Sequence, residues 1–134
     1  MNKIRNVTFW VIIVLLSRDG FAQEEHHKPE HHRHLEYAKT ENPVAKTDKS
    51  ILQGGKLYEN HCVACHGTVG KGGIGPDLAG SVRIHGSTDG EMFHVITDGV
   101  KGTAMKGFRK ELTDEMRWDL VNYVGSLRKN EKHK

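Results

Sequence analysis

The stretch Cys62-Val63-Ala64-Cys65-His66 decides how this sequence folds, and it contains both cysteines of the 134-residue chain. Two thiols three residues apart are spaced to reach the two vinyl groups on one edge of a porphyrin and form thioethers. The histidine that follows directly can then present its imidazole to the iron from the proximal side. The pentapeptide therefore predicts one covalently attached haem c per chain, bound through Cys62 and Cys65, with His66 as an iron ligand.

Two other uses of this cysteine pair are disfavoured by the rest of the sequence. A thioredoxin-like redox pair requires a preceding strand within a βαβ pattern, and the sequence shows no such pattern. A zinc site would take two further ligands from a second cluster, and the chain has no second cysteine pair. Haem attachment is the interpretation that accounts for both thiols and the adjacent histidine.

Residues 1–22 have the pattern of a secretory signal peptide. Lys3 and Arg5 form the charged start, residues 7–16 are apolar, and Gly20-Phe21-Ala22 offers small residues at a cleavage site. An apolar helix of that length spans about 15 Å, against about 30 Å for a membrane interior, so a cleaved signal is favoured over an anchor. The sequence thus predicts a periplasmic or otherwise exported protein with no stable membrane insertion after cleavage. Free thiols would oxidise in such a compartment, which again favours thioethers.

Residues 23–49 are polar and are predicted to form a flexible, histidine-rich leader. Copper, nickel or zinc scavenging is an alternative, but nothing in such a segment fixes ligand geometry, so a solvated linker is favoured. The formal net charge is +3, with no basic stripe and interleaved aromatics, which argues against a nucleic-acid partner. Five of the ten histidines lie in this segment: His26, His27, His31, His32 and His34.

Residues 50–128 are predicted to form one all-α domain of three main helices and long loops, followed by a charged tail at 129–134. The first helix is expected over 51–60 and the last from Thr113 onwards. Thr88 and Glu91 have capping-box spacing for a second helix that ends at Gly99. So small a core needs a large apolar cofactor. The last helix shows an apolar stripe at i, i+4, i+7, i+8 and i+11: Met116, Leu120, Tyr123, Val124 and Leu127.

Over about residues 50–128 the chain resembles the class I cytochromes c, and this resemblance implies their small fold wrapped around one haem. Gly54 and Tyr58 stand where the family crosses its first and last helices, and the resemblance implies contact with Tyr123. The segment Gly75-Pro76-Asp77-Leu78 is similar to the family's proximal loop. There the carbonyl of Pro76 is expected to accept a hydrogen bond from the haem histidine.

The second iron ligand is sought among three methionines besides the initiator. Met92 and Met116 lie in apolar stripes of helices, where packing explains them. Met105 lies in the loop Gly102-Thr103-Ala104-Met105-Lys106-Gly107-Phe108, which occupies the place of the distal methionine loop in class I cytochromes c. Many relatives have proline after this methionine, whereas this chain has Lys106. Met105 is therefore the predicted ligand, and packing against the haem without ligation is the alternative.

Several other side chains receive weaker assignments. His61 is expected at the surface near the haem edge, and His94 as a structural histidine of the second helix. Arg83 and His85 are candidates to donate to a haem propionate. Trp118 is expected to pack within the last helix's interface.

The resemblance implies a soluble electron carrier with His66 and Met105 as iron ligands and no enzymatic turnover, because such iron has no open position. Expected partners are redox proteins: a quinoprotein or other dehydrogenase, a terminal oxidase or a cytochrome complex. The protein is expected to be a monomer. Two alternatives remain, a haem subunit of a dehydrogenase or oxidase complex and a ligand-binding haem sensor in which Met105 is displaceable.

Overall fold

The structure is a computed structural model that describes residues 34–80 and 84–131, with side chains up to residue 128. Its helices are α1 (Asp48–His61), α2 (Val63–His66), α3 (Asp89–Asp98) and α4 (Asp114–Glu131), preceded by a 3₁₀ turn at Leu35–Tyr37. Within the described ranges the single extended pairing is an isolated bridge between Gly99 and Lys106. The all-α prediction is confirmed, and α1, α3 and α4 are the three main helices.

Side-chain caps set the starts of α1 and α3. The Thr47 hydroxyl accepts a hydrogen bond from the Ser50 amide at 3.2 Å, so α1 begins slightly before its predicted start. The predicted capping box of α3 is present, with Thr88 and Glu91 each satisfying the other's backbone. α3 ends at Gly99, whose φ of 74° lies in the region that favours glycine.

α1 and α4 cross in close contact at Gly54. A methyl group at position 54 would overlap the carbonyl of Asp119 and lie 2.8 Å from Cβ of Tyr123, so only glycine fits. One turn further along α1, the rings of Tyr58 and Tyr123 are 5.1 Å apart. The contact implied by the family resemblance is present, and it places the C-terminal end of α1, where the cysteine motif follows, against α4.

The core lies where α4 packs against α1 and α3. Trp118 is 5% exposed and stacks on Phe93 at a ring separation of 3.9 Å, which confirms its packing role. Leu120 and Val121 are almost fully buried. Met116, in contrast, is 41% exposed, so its predicted place in the buried stripe is wrong. Leu120, Val124 and Leu127 of the stripe are buried, whereas Met116 lies in the first turn of α4, next to the exposed Asp114 and Glu115.

The N-terminal segment differs from the prediction of a flexible leader up to residue 49. Residues 34–47 lie against the helices: Tyr37 stacks on His94 of α3 at 4.0 Å, and Val44 packs against the core. The Asn42 side chain donates to Asn122 Oδ1 of α4 at 2.9 Å. These residues therefore belong to the folded unit. They are held largely by polar contacts, which an apolar periodicity in the sequence does not predict. The predicted signal, residues 23–33 of the leader and the last three residues of the tail lie outside the described residues.

Candidate haem site

The cysteine motif forms a tight helical turn directly after α1. The amides of Cys65 and His66 both donate to the carbonyl of Cys62, at 3.1 and 2.9 Å, so the motif is wound into α2. Cys62 is half-buried and Cys65 is exposed, and no disulfide joins them. Both cysteines and His66 line the same cavity. Attachment of haem to these sulfurs stays a prediction, and the turn supplies the thiols and the imidazole together at one wall.

His66 is buried and held from behind by the following loop. Its Nδ1 lies 2.9 Å from the carbonyl oxygen of Pro76, the contact that the family resemblance implies. A carbonyl in that place favours the tautomer with hydrogen on Nδ1 and leaves Nε2 as the free metal-binding nitrogen. A methyl group at Gly75 would lie 2.8 Å from Cε1 of His66, so glycine is required for the loop to pass this close.

Burial also shapes the acid–base properties beside the motif. Burial raises the pKa of the Cys62 thiol to about 11, with a smaller contribution from Cys65, so the thiol is neutral at pH 7 before any haem is attached. Burial likewise raises the pKa of Tyr58 to about 12. The Tyr58 hydroxyl donates to the carbonyl of Gly67 at 2.8 Å and so ties α1 to the start of the proximal loop.

The cavity has a volume of about 410 Å³. That size falls within the range of about 300–1,000 Å³ that is typical of cofactor sites. Its walls come from α1, α2, α3, α4 and the loops between them, and a planar apolar group would replace the core that this small chain lacks. The residues present therefore fit a haem. The apolar lining includes Tyr58, Leu78, Met92, Val95, Ile96, Phe108, Leu120 and Val124.

Met105 reaches the same cavity from the loop between α3 and α4. Both of its backbone polar groups are held inside the loop: its carbonyl accepts from the Val100 amide at 2.9 Å, and its amide donates to Thr103 Oγ1 at 3.1 Å. Met92 also lines the cavity, but it is 7% exposed and belongs to the packed core of α3. Met116 is not part of the lining. The structure thus brings two of the three methionines to the cavity, one from a loop and one from a helix.

Of the other sequence-predicted histidines, two line the cavity and one does not. His61 and His85 line the cavity, and His61 meets the Phe108 ring edge-on at 5.6 Å. His94 lies elsewhere, with Nδ1 3.1 Å from a carboxylate oxygen of Asp98, consistent with a structural role. Arg83 lies outside the described residues.

Phe108 and Ile74 are among the lining residues that were not assigned a role from the sequence. Phe108 is 4% exposed and closes the cavity next to the Met105 loop. Ile74 also lines the cavity, from a loop beside the Gly75–Pro76 pair, although it is 89% exposed. An apolar residue next to a glycine or proline in a polar loop is the signal that could have found both.

A helical turn that carries two cysteines and a backbone-anchored histidine opens here into an apolar cavity of an all-α fold. This arrangement is that of a class I cytochrome c. No helix within the described parts of the chain is long and apolar enough to cross a membrane.

Sequence comparison agrees with the structural class. A family model described as "Cytochrome C oxidase, cbb3-type, subunit III" matches residues 49–124, which is more than half of the chain. The chain therefore belongs to this family of cytochrome c domains, whose members bind haem and transfer electrons. The matched residues contain the cysteine motif, the cavity and the Met105 loop.

Individual relatives share the domain rather than their full length. Cytochrome c55X of Paracoccus denitrificans is 38% identical over 69 residues, which are 51% of this chain and 65% of that protein. A chain of the reducing HAO-like protein complex of Kuenenia stuttgartiensis is 33% identical with a TM-score of 0.56, covering 63% of this chain and 46% of its own. This chain thus spans less than two thirds of either relative.

Two solved cytochromes cL have the same fold. The protein from Hyphomicrobium denitrificans is 27% identical with a TM-score of 0.54, over 57% of this chain and 46% of that one. The protein from Methylophaga aminisulfidivorans is 24% identical with a TM-score of 0.61, over 69% of this chain and 63% of that one, and it supports the fold alone.

Proposed function

We propose that this chain is a small electron carrier with one haem c, bound through Cys62 and Cys65, whose iron is ligated by His66 and Met105. The observation that carries the proposal is the cavity, because the cysteines and the anchored histidine line it together with a methionine from a separate loop. When bound, the haem supplies a one-electron iron couple. With both axial positions filled by the protein, the chain transfers electrons and turns over no substrate.

Each part of the chain has a distinct role in this proposal. The two cysteines fix the cofactor, and the Pro76 carbonyl orients His66 through its Nδ1. The apolar walls exclude water and so favour the less charged, reduced state of the iron. Met105 sulfur, a soft ligand, acts in the same direction and keeps the potential comparatively high.

The cellular setting belongs to the same proposal. Residues 1–22 direct export, and the domain at about 50–128 works in the periplasm as a monomer. Electrons come from a dehydrogenase, such as a quinoprotein, and pass to a terminal oxidase or another cytochrome. The match to a family described by an oxidase subunit supports a place next to such enzymes.

A second function is supported by that same description and by the similarity to a chain of a multi-subunit complex. In that case the chain is the haem subunit of an oxidase or dehydrogenase complex rather than a free carrier. Size-exclusion chromatography of native periplasmic extract, followed by haem staining, separates the two. A red species no larger than the 15.1 kDa of the whole chain supports the carrier, and a stable large species supports the subunit.

The experiment that tests haem attachment is a haem stain of the denatured protein. The wild type is expected to stain on a gel, and the double variant Cys62→Ser/Cys65→Ser is expected to lose all stain. An electrochemical titration of the wild type should then show one wave with one electron per chain. Stain retained in the double variant, or no reversible wave, contradicts the proposal.

A further inference from the structure

The Met105 loop is held by backbone contacts on both sides of the methionine. Before Met105, the loop carries the hydrogen bonds to Val100 and Thr103 described above. After it, Lys106 pairs with Gly99 in the isolated bridge, and the Phe108 amide donates to the carbonyl of Ile96 at 2.9 Å. These contacts join the loop to the end of α3, and a side-chain contact with the segment that precedes α4 would restrain the loop further.

The Lys106 side chain supplies that restraint. Its Nζ donates to both carboxylate oxygens of Glu111, at 2.8 and 3.1 Å, and lies 5.1 Å from the centroid of the Phe108 ring. Phe108 is buried and lines the haem cavity. The residue directly after Met105 is therefore tied across the loop to Glu111, over a ring that forms part of the cavity wall.

We propose that Lys106 and Glu111 are positioning residues for Met105: their ion pair clamps the loop and provides the stiffness that a proline after the methionine would give. This inference rests on the proposed ligation of iron by Met105. Proline restricts the chain through its own φ angle, whereas the clamp acts through a charge pair at the surface. Unlike proline, it depends on ionic strength.

The solvent exposure of the two side chains determines how much the ion pair contributes. The side chains of Lys106 and Glu111 are 63% and 46% exposed, so the pair is screened by salt. Exposed ion pairs contribute little free energy unless their geometry is good. The geometry is good here, because one ammonium group contacts both oxygens of a carboxylate. We therefore expect the clamp to change the competition between Met105 and an external ligand by about threefold.

The probe is imidazole, titrated into the oxidised holoprotein and followed by loss of the sulfur-to-iron charge-transfer band. Glu111→Gln removes the ion pair and leaves Lys106 over the ring, so its imidazole affinity should rise about threefold. Glu115→Gln, an exposed carboxylate in the first turn of α4, is the matched control and should leave the affinity unchanged. The charge-swapped variant Lys106→Glu/Glu111→Lys restores the pair and should recover most of the wild-type value.

Salt provides an independent readout on the same samples. Raising NaCl from about 20 mM to about 500 mM should increase imidazole affinity in the wild type and leave Glu111→Gln nearly unaffected, because screening removes the same interaction. If the wild type and Glu111→Gln have equal imidazole affinities and equal salt responses, the clamp is contradicted. A charge-transfer band in the same samples would still support ligation by Met105. Absence of the band in the wild type overturns the clamp and the ligation together.

Discussion

The crossing of α1 and α4 and the Met105 loop are held in opposite ways. At the crossing, backbone meets backbone at Gly54, and the surrounding side chains are almost entirely buried. In the loop, Met105 is fixed by hydrogen bonds within the loop and by the exposed pair of Lys106 and Glu111. The first region has no room to adjust, whereas the second is restrained by contacts that are individually weak.

Because of this difference, we expect the crossing to determine the stability of the fold and the loop to determine the ligation and potential of the iron. Changes at the crossing should cost free energy of unfolding, because close packing transmits a misfit through the whole interface. Changes in the loop should leave unfolding nearly unaffected but alter which ligand occupies the iron. A loop substitution that strongly destabilised the fold, or a substitution at the crossing that changed only the iron ligand, would contradict this comparison.

The largest effect on stability is expected from Gly54→Ala. The added methyl group overlaps the carbonyl of Asp119, so α1 and α4 must separate. The free energy of unfolding should fall by about 3 kcal/mol, measured by guanidinium titration of the holoprotein. Gly55→Ala is the matched control, since its methyl group would meet only the ring edge of Tyr123, at 3.2 Å. Equal losses in the two variants would contradict a backbone contact specific to position 54.

The next largest effect is a loss of stability in alkali caused by Tyr58. Burial raises its pKa in the folded protein to about 12, with smaller contributions from Cys62 and Tyr123. The unfolded chain loses this proton near pH 10, so the contribution is complete below pH 10 and is lost as the pH rises towards 12. The full effect is on the order of 2–3 kcal/mol, from about 1.36 kcal/mol for each pH unit of the shift.

Tyr58→Phe cannot ionise and is the variant that tests this pH dependence. Its unfolding free energy should be lower than that of the wild type at pH 8, because the hydrogen bond to the Gly67 carbonyl is lost. Between pH 10 and 12 it should then change less steeply than the wild type. Parallel curves would show that Tyr58 is not the responsible group.

A smaller effect is expected where the N-terminal segment joins the crossing. The Asn122 side chain is 2% exposed and donates to the carbonyl of Val44 at 3.1 Å and to Ser50 Oγ at 2.8 Å. Asn122→Ala should cost about 2 kcal/mol, because it leaves buried partners unsatisfied. Asn60→Ala, at an exposed site on α1, is the control. A negligible loss in Asn122→Ala would mean that residues 34–47 contribute little to the fold.

Local signals in the sequence were enough to predict much of the scaffold. The caps at Thr88 and Thr113 act over three residues, and the cysteine motif is one helical turn, so each can be recognised without knowledge of the tertiary structure. The family resemblance added contacts between distant segments, at Gly54 with Tyr123 and at His66 with Pro76.

The unpredicted features depend on long-range polar contacts or on the point at which a helix enters the core. Asn42 and Asn122 are eighty positions apart, and neither belongs to an apolar pattern, so the segment at 34–47 resembled a solvated linker. Met116 matched the helical stripe in spacing, but it lies in the exposed first turn of α4, before the helix enters the core. The pair of Lys106 and Glu111 lies in a loop, where no regular spacing indicates which charges meet.

The most direct test of the account is the replacement of Met105 by alanine in the holoprotein, with Met92→Leu and Met116→Leu as controls. The oxidised wild type should show the weak long-wavelength sulfur-to-iron charge-transfer band. Met105→Ala should abolish it, let carbon monoxide bind the reduced iron at pH 7, and lower the midpoint potential by on the order of 100 mV. Both controls should keep the band and the potential. A band that survives in Met105→Ala and disappears in Met92→Leu would assign the ligand to α3 and contradict the account.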